Sequence, residues 1–194
     1  MPARISSSPL TSSLGKERGM ARVPYVDPER ATDERVGQLY REIAQLRGSV
    51  LNLYRALANQ PEALRSFMVM SRHVRDESSL PGDLRELGIL AVAHTLDVPY
   101  ERMHHEPAAR RAGVSEEQIA ALPRWRESGA FDPAQRAVLA YAESVARHHA
   151  VDAATFDALR EHLSREQLVD LAVTIAWYHF CAALIGPLEI DLER

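Results

Sequence analysis

At 194 residues and 46% hydrophobic content, the chain is long enough to bury one sizeable core, and no break in composition divides it into two. A formal net charge of -4 gives no overall basic footprint for a phosphate backbone, which argues against nucleic acid as a partner. The single cysteine, Cys181, lies in the apolar run WYHFCAALIG and reads as a buried, inert thiol in a reducing compartment; Lys16, the only lysine, sits in a Ser/Gly/Pro-rich leader where a Schiff base or pyridoxal phosphate anchor has no footing.

Residues 1–19, MPARISSSPLTSSLGKERG, have no apolar period to offset the entropy of ordering and read as a flexible tail, with residues 20–194 as one domain. Pro24 and Pro28 disfavour helix at the residues before them, so 23–27 should be extended. From there the pattern is helical. Val36, Leu39, Tyr40, Ile43 and Leu46 recur at three and four after Asp33 as N-cap, and Gly48 ends the run. A short helix near 51–58 and a longer one near 61–75 follow. The break at 78–82 introduces a helix bearing Glu86, and Asp97-Val98-Pro99 separates it from a helix bearing His105. Ser115 with Gln118 and Ser164 with Gln167 fit the capping box, and Asp132 before Pro133 fits an N-cap with proline at the first helical position. The helices they open cover roughly 115–121, 133–148 and 165–185, with another near 153–162. No alternating β-branched run competes, so the fold class is all-α.

Several functions lack their usual cues. There is no GxGxxG, GxxxxGK[ST] or GxSxG for dinucleotides, nucleoside triphosphates or serine hydrolysis. No stretch reads as a membrane span of ~20 apolar residues, and no apolar secretory signal opens the chain, so a cytoplasmic protein without a membrane partner is expected. The pairs His104/His105 and His148/His149 are adjacent and diverge on a helix, and neither HExxH nor CxxC is present. No metal and no cofactor is expected.

What remains is a proton-handling set. Glu101 and His105 are four apart and share a helix face, whereas His104 points about 100° away. Glu86 lies on the preceding helix in a stripe with Leu90, Ala93 and Asp97, close to the core. Glu86, Glu101 and His105 are the candidate catalytic residues. Pro107 lacks an N–H and its ring opposes the carbonyl of Met103, so the turn bearing His105 should be kinked or widened. Arg72 and Arg75 are candidates to hold a substrate carboxylate, and Tyr178 and His179 to line the same pocket from the C-terminal helix. A satisfied polar cluster that merely orients two helices is the competing reading of the trio.

The spacing also carries a resemblance. Twelve, fifteen and nineteen residues after Glu86 stand Val98, Glu101 and His105, and this ladder resembles the active-site helix pair of the carboxymuconolactone decarboxylase and alkyl hydroperoxide reductase D (AhpD-like) superfamily. In the peroxidase branch of that superfamily, glutamate, the two cysteines of a CxxC and histidine fill those rungs; here Val98 and Glu101 replace both thiols. VPYVDPER, LNLYRALANQPEAL, LRELGIL, the YExxxH of Tyr100 to His105, HEPAARRAG and FDPAQRAVLAYAES extend the likeness over roughly 20–190. The chain most resembles the cysteine-free, decarboxylase-like branch. That resemblance implies an all-helical bundle, commonly trimeric or a multiple of trimers, so a homo-trimer or dimer of trimers is expected.

The function it implies is a cofactor-independent lyase or isomerase acting on a small oxygenated carboxylate or lactone, with Glu86, Glu101 and His105 moving protons and Arg72, Arg75, Tyr100, Tyr178 and His179 binding substrate. A peroxidase or disulfide reductase is disfavoured by the missing CxxC. A non-catalytic helical oligomer that binds a metabolite or partner is the other alternative.

Overall fold

The computed structural model describes residues 21–193, so the expected 1–19 tail lies outside the described residues. Nine α-helices and no strand occur among the described residues. They are α1 (Glu34–Arg47), α2 (Asn52–Leu57), α3 (Pro61–Arg72), α4 (Gly82–Thr95), α5 (Pro99–Arg111), α6 (Glu116–Ala121), α7 (Pro133–His148), α8 (Ala153–Arg160) and α9 (Arg165–Ile185). The all-α expectation holds.

The boundaries follow from the side chains that meet the free backbone groups at helix ends. Asp33 accepts from Arg35 N–H at the start of α1, and Gly48 ends it in the left-handed region at φ 80°. Reciprocal capping boxes open α6 (Ser115/Gln118), α7 (Asp132/Gln135) and α9 (Ser164/Gln167). Two short departures from α geometry were not anticipated: a π-helical turn at His73–Glu77 prolongs α3, and a 3-10 segment at Leu122–Glu127 follows α6.

α4 is the central element and packs against α5, α7 and α9. It can approach closely because Gly88 has no side chain: a Cβ there would lie 3.1 Å from Ile175 Cδ1 and 3.4 Å from Val138 Cγ1. Around it one apolar cluster joins Leu87, Leu90, Val138, Leu139, Leu171 and Ile175. A second cluster sets α1, α2 and α3 against the far end of α9, through Tyr40, Ile43, Leu53, Leu64, Phe67, Cys181 and Ile185. Leu96 and Trp177 pack against both clusters.

α4 turns into α5 through a Schellman motif. Val98 N–H donates to Ala93 O (2.8 Å) and Asp97 N–H to His94 O (3.3 Å), with Asp97 left-handed at φ 51°. α5 then runs as one helix from Pro99 to Arg111, with Pro107 inside it. Met103, whose carbonyl the proline ring opposes, is on the exposed side of the helix, where a carbonyl can tilt outward without breaking the turn.

α9 departs from another expectation. By length and composition it is long and apolar enough to cross a membrane. Its inner face is nevertheless a core face, carrying Leu171, Ile175, Tyr178 and Cys181.

Candidate active site

α4 and α5 bring Glu86, Glu101 and His105 together, at 4%, 6% and 2% exposure. His105 Nδ1 is 2.7 Å from Glu86 Oε2, and its Nε2 is 3.4 Å from Glu101 Oε2 and 3.2 Å from Arg75 Nη2. Arginine only donates, so the Arg75 contact needs the Nε2 lone pair, while the Glu101 contact on the same nitrogen favours a proton there. The Tyr178 ring stands edge-on to the imidazole, centroids 4.8 Å apart and planes at 86°. This contact fixes the ring's plane and the Glu86 hydrogen bond its direction.

The two carboxylates have opposite electrostatics. Burial works against ionising Glu86, but the His105 hydrogen bond and the charges of His105, Arg85 and Arg75 outweigh it and hold this carboxyl below its ordinary range. Arg85 Nε lies 3.4 Å from Glu86 Oε1. For Glu101, burial wins over the pull of His105 and Arg75 and pushes the carboxyl up. Two carboxyls that share one imidazole and are shifted in opposite directions form an arrangement suited to proton transfer.

Arg75 reaches the site because the π-helical turn at His73–Glu77 changes the angular position of side chains beyond Arg72. Arg72 does not reach it: its side chain is 65% exposed and pairs with Glu77 at 2.9 Å. Regular helix periodicity carries no sign of that divergence. Tyr178 and Tyr100 line the cavity above the trio, Tyr100 donating through its hydroxyl to Glu193 Oε1 at 2.7 Å. His179 faces elsewhere. It borders a separate cleft with its ring 5.2 Å from that of His149, since one step along α9 from Tyr178 turns a side chain about 100°.

Other residues at the site escaped the sequence reading. Cys181, 2% exposed, lines the same cavity, one turn beyond Tyr178; the Tyr178-to-Cys181 spacing of three was the available signal. Burial pushes its thiol well up. The cavity holds about 40 Å³, and beside it a cleft of about 650 Å³ opens to the surface. Leu51, Arg75 and His104 border both spaces. The cleft is bordered by Arg47, Arg75, Arg85 and Arg111 against Asp76 and Glu86, a local cationic excess in a chain whose net charge is -4. Among the described residues no cluster of three or more His, Cys, Asp or Glu side chains has the geometry to hold a metal ion.

Residues 61–144 match the model of the carboxymuconolactone decarboxylase family, a segment that contains Arg75, Glu86, Glu101 and His105. In that segment the chain is similar to the carboxymuconolactone decarboxylase family, the likeness that the spacing of Glu86, Glu101 and His105 implies. A relative within reach of sequence comparison is the uncharacterized protein YdfG of Bacillus subtilis, 28% identical over 117 residues that span 59% of this chain and 79% of YdfG. Among solved structures, the alkylhydroperoxidase AhpD core of a peroxidase-related protein from Ralstonia eutropha JMP134 aligns with TM-score 0.77 and 23% identity over 90% of this chain and 93% of its own. The debrominase Bmp8 aligns with TM-score 0.74 and 20% identity over 87% and 90%. These structural likenesses carry the fold. The family match over 61–144 supports a decarboxylase- or peroxidase-like enzyme in general terms.

Proposed function

We propose that this protein is a cofactor-independent acid/base enzyme, a lyase or isomerase acting on a small oxygenated carboxylate or lactone. The observation that carries the reading is His105, buried with Glu86 on Nδ1 and with Glu101 and Arg75 around Nε2. Glu86 holds the imidazole so that the Nε2 lone pair faces the cavity. There it removes a proton from the carbon next to a carbonyl, and the electron pair passes to the carbonyl oxygen as an enolate. In an isomerisation Glu101, protonated through burial, returns a proton at the neighbouring carbon and is reprotonated by the imidazolium. In a decarboxylation no carbon is first deprotonated: the carbon–carbon bond to the carboxylate breaks, its electron pair passes to the carbonyl oxygen as an enolate, carbon dioxide leaves, and Glu101 protonates the enolate carbon and is reprotonated from solvent. Arg75 stabilises the anionic end through both routes.

A cavity of about 40 Å³ accommodates water rather than a metabolite, so substrate enters from the arginine-bordered cleft and displaces the shared wall at Leu51, Arg75 and His104. Thiol chemistry is the second reading, favoured by the place of Cys181 in the same cavity. It is the weaker one, because burial disfavours the thiolate that such chemistry needs.

The test follows proton exchange at the carbon next to the carbonyl by NMR in D2O, across a panel of small keto acids and lactones, for wild type, His105→Gln and Cys181→Ser. On the proposed reading His105→Gln stays folded and loses exchange and turnover by about 10²-fold or more, while Cys181→Ser retains them. Full activity in folded His105→Gln refutes the mechanism.

A further inference from the structure

An arginine that faces an imidazole nitrogen has to be put there. Arg75 Nη2 lies 3.2 Å from His105 Nε2, and among the described residues Arg75 forms no ion pair of its own, since Glu86 and Glu101 face His105. A guanidinium gains more from a carboxylate than from a ring nitrogen, so the side chain's own chemistry does not account for its place. The backbone does. Arg75 stands in the middle of the π-helical turn His73–Glu77, and a π turn holds more residues than an α turn, which displaces side chains by up to about one residue step, roughly 100°. Such a turn is rare and has to be held by its neighbours.

Three contacts hold it. Val74, 1% exposed, is sunk in the apolar cluster around α4, and His73 Nε2 lies 3.3 Å from Asp170 Oδ1 on α9. On the far side Arg47, the last residue of α1, grips Asp76 with both arms of its guanidinium, Nη1 donating to Oδ1 at 3.3 Å and Nη2 to Oδ2 at 3.1 Å. Val74 and Asp76 bracket Arg75. The neighbouring pair Arg72–Glu77 joins two exposed side chains of one stretch of chain, so it ties the turn to no other element. The fork is different: the Arg47 side chain is 18% exposed, it reaches across 29 residues, and it is the one ion pair between α1 and the turn among the described residues.

We propose that Arg47, acting through Asp76, is the positioning residue of Arg75, fixing the π-helical turn so that the guanidinium stands on His105 Nε2. Arg47 borders the arginine-rich cleft and not the cavity around His105, so its effect on the imidazole passes through the turn. Once the fork opens, the turn is free to wind back to α geometry and Arg75 rotates away from the ring. The consequence for turnover rests on the acid/base role proposed above for His105 and Arg75.

The test reads the imidazole nitrogen itself. His105 Nε2 is observed by long-range 1H–15N correlation on the full chain labelled with 15N-histidine, at one neutral pH, and assigned by its absence from His105→Gln. Arg75→Met gives the position of the resonance without the guanidinium. Arg47→Gln and Asp76→Asn should each move the wild-type resonance toward that position, and the double variant should move it no further than the larger single change. A field effect alone would move it in opposite directions, because one variant removes a positive charge and the other a negative one. Arg72→Gln, which breaks the pair to Glu77, should leave it in place. Asp76→Asn removes the same fork from the other side, so the test stands if Arg47→Gln does not fold. In the proton-exchange assay both variants should lose about 10- to 100-fold in kcat, the scale of a misplaced group at the site. Opposite movements, no movement in either folded variant, an Arg75→Met resonance at the wild-type position, or a shift from Arg72→Gln as large as that from Arg47→Gln would each overturn the proposal. Resonances that move as expected while turnover is unaltered or absent uphold the positioning and count against the acid/base reading.

Discussion

Replacing Glu101 by Met puts the sign of a stability change at stake. Glu101 is 6% exposed and its approach to His105 Nε2, at 3.4 Å, is long for a hydrogen bond. Burial pushes its carboxyl up despite the attraction of His105 and Arg75. A buried polar group with a poor partner costs about 1–3 kcal/mol, and Met matches Glu in length and helix propensity without that cost. Glu101→Met should therefore be more stable than wild type at neutral pH by about 1–3 kcal/mol, raising the melting temperature by roughly 2–10 °C in a chain of this size. If Glu101 were instead an ionised member of a structural ion network, removing it would leave buried cations undercompensated and cost about 3–5 kcal/mol. The two readings differ in sign. The pH dependence adds a second test: a carboxyl whose folded-state pKa is raised contributes stability that is fully present below its unfolded-state pKa and is lost as pH rises through the folded value. The advantage of Glu101→Met should accordingly be smallest in acid and grow with pH. Melting curves from pH 4 to 8 beside a turnover assay measure both. A variant less stable than wild type across that range, or one that keeps its turnover, refutes the assignment of Glu101 as a buried acid.

Glu86→Gln should move the other way, losing about 1.5–3 kcal/mol of charge-assisted hydrogen bonding to His105. Because the Glu86 carboxyl is held below its ordinary range, its contribution is present above the unfolded-state pKa and lost on acidification, so melts in acid should converge for variant and wild type. His104→Gln should leave activity within a few-fold while loosening the C-terminal segment, since His104 Nε2 lies 3.0 Å from a Glu193 carboxylate; limited proteolysis reads this directly. The His104 contact and hydrogen bonds from Asn52 N–H and Tyr100 overcome burial to hold Glu193 down at about 2, so in wild type the latch should weaken as pH falls toward that value and also as pH rises through the raised pKa of His104. Cys181→Ser should cost about 1 kcal/mol by placing a hydroxyl in an apolar wall, with activity retained; abolished activity accompanied by Cys181 oxidation during turnover would move the reaction to the thiol.

Helix existence was legible because each start carries its own chemistry. Asp33, Ser115, Asp132 and Ser164 all cap where the pattern places them. The trio was legible for a related reason: a spacing of four on one helix and a short turn to the next determine which side chains can meet. What the sequence could not convey is angular position where helix geometry departs from regular. The π-helical turn separates Arg75 from Arg72, and nothing in SRHVRDE distinguishes that turn from ordinary helix. Tyr178 and His179 were paired by adjacency, yet the helix sends adjacent residues to different faces, and only the packing of α9 on α4 selects Tyr178. The exposure of Val169 and Phe180 on α9 was hidden likewise, since an apolar residue in sequence does not reveal whether the fold has a neighbour to cover it.

The two rungs at which thiols are missing can be argued from what each replacement does. Val98, 8% exposed, closes the turn between α4 and α5 through its N–H to Ala93 O and adds its side chain to the second apolar cluster, so that rung serves packing. Glu101 keeps its rung within reach of His105 but exchanges sulfur for a carboxyl group. A carboxyl can give or take a proton; it has no sulfur electron pair to pass to an oxidant, so reduction of a peroxide would have to proceed through Cys181, which burial holds as the thiol. Oxygen in place of sulfur thus limits this rung to proton transfer. The environment then separates the two carboxyls: Glu86, in contact with His105 and Arg85, is held below its ordinary range, and Glu101, with the weaker contact, is pushed above it, which on the proposed reading suits the first to orient the imidazole and the second to deliver a proton. A cluster that served only to orient two helices would gain nothing from keeping its second carboxyl against the preference of its surroundings, and that cost is the strongest argument for the proposed chemistry.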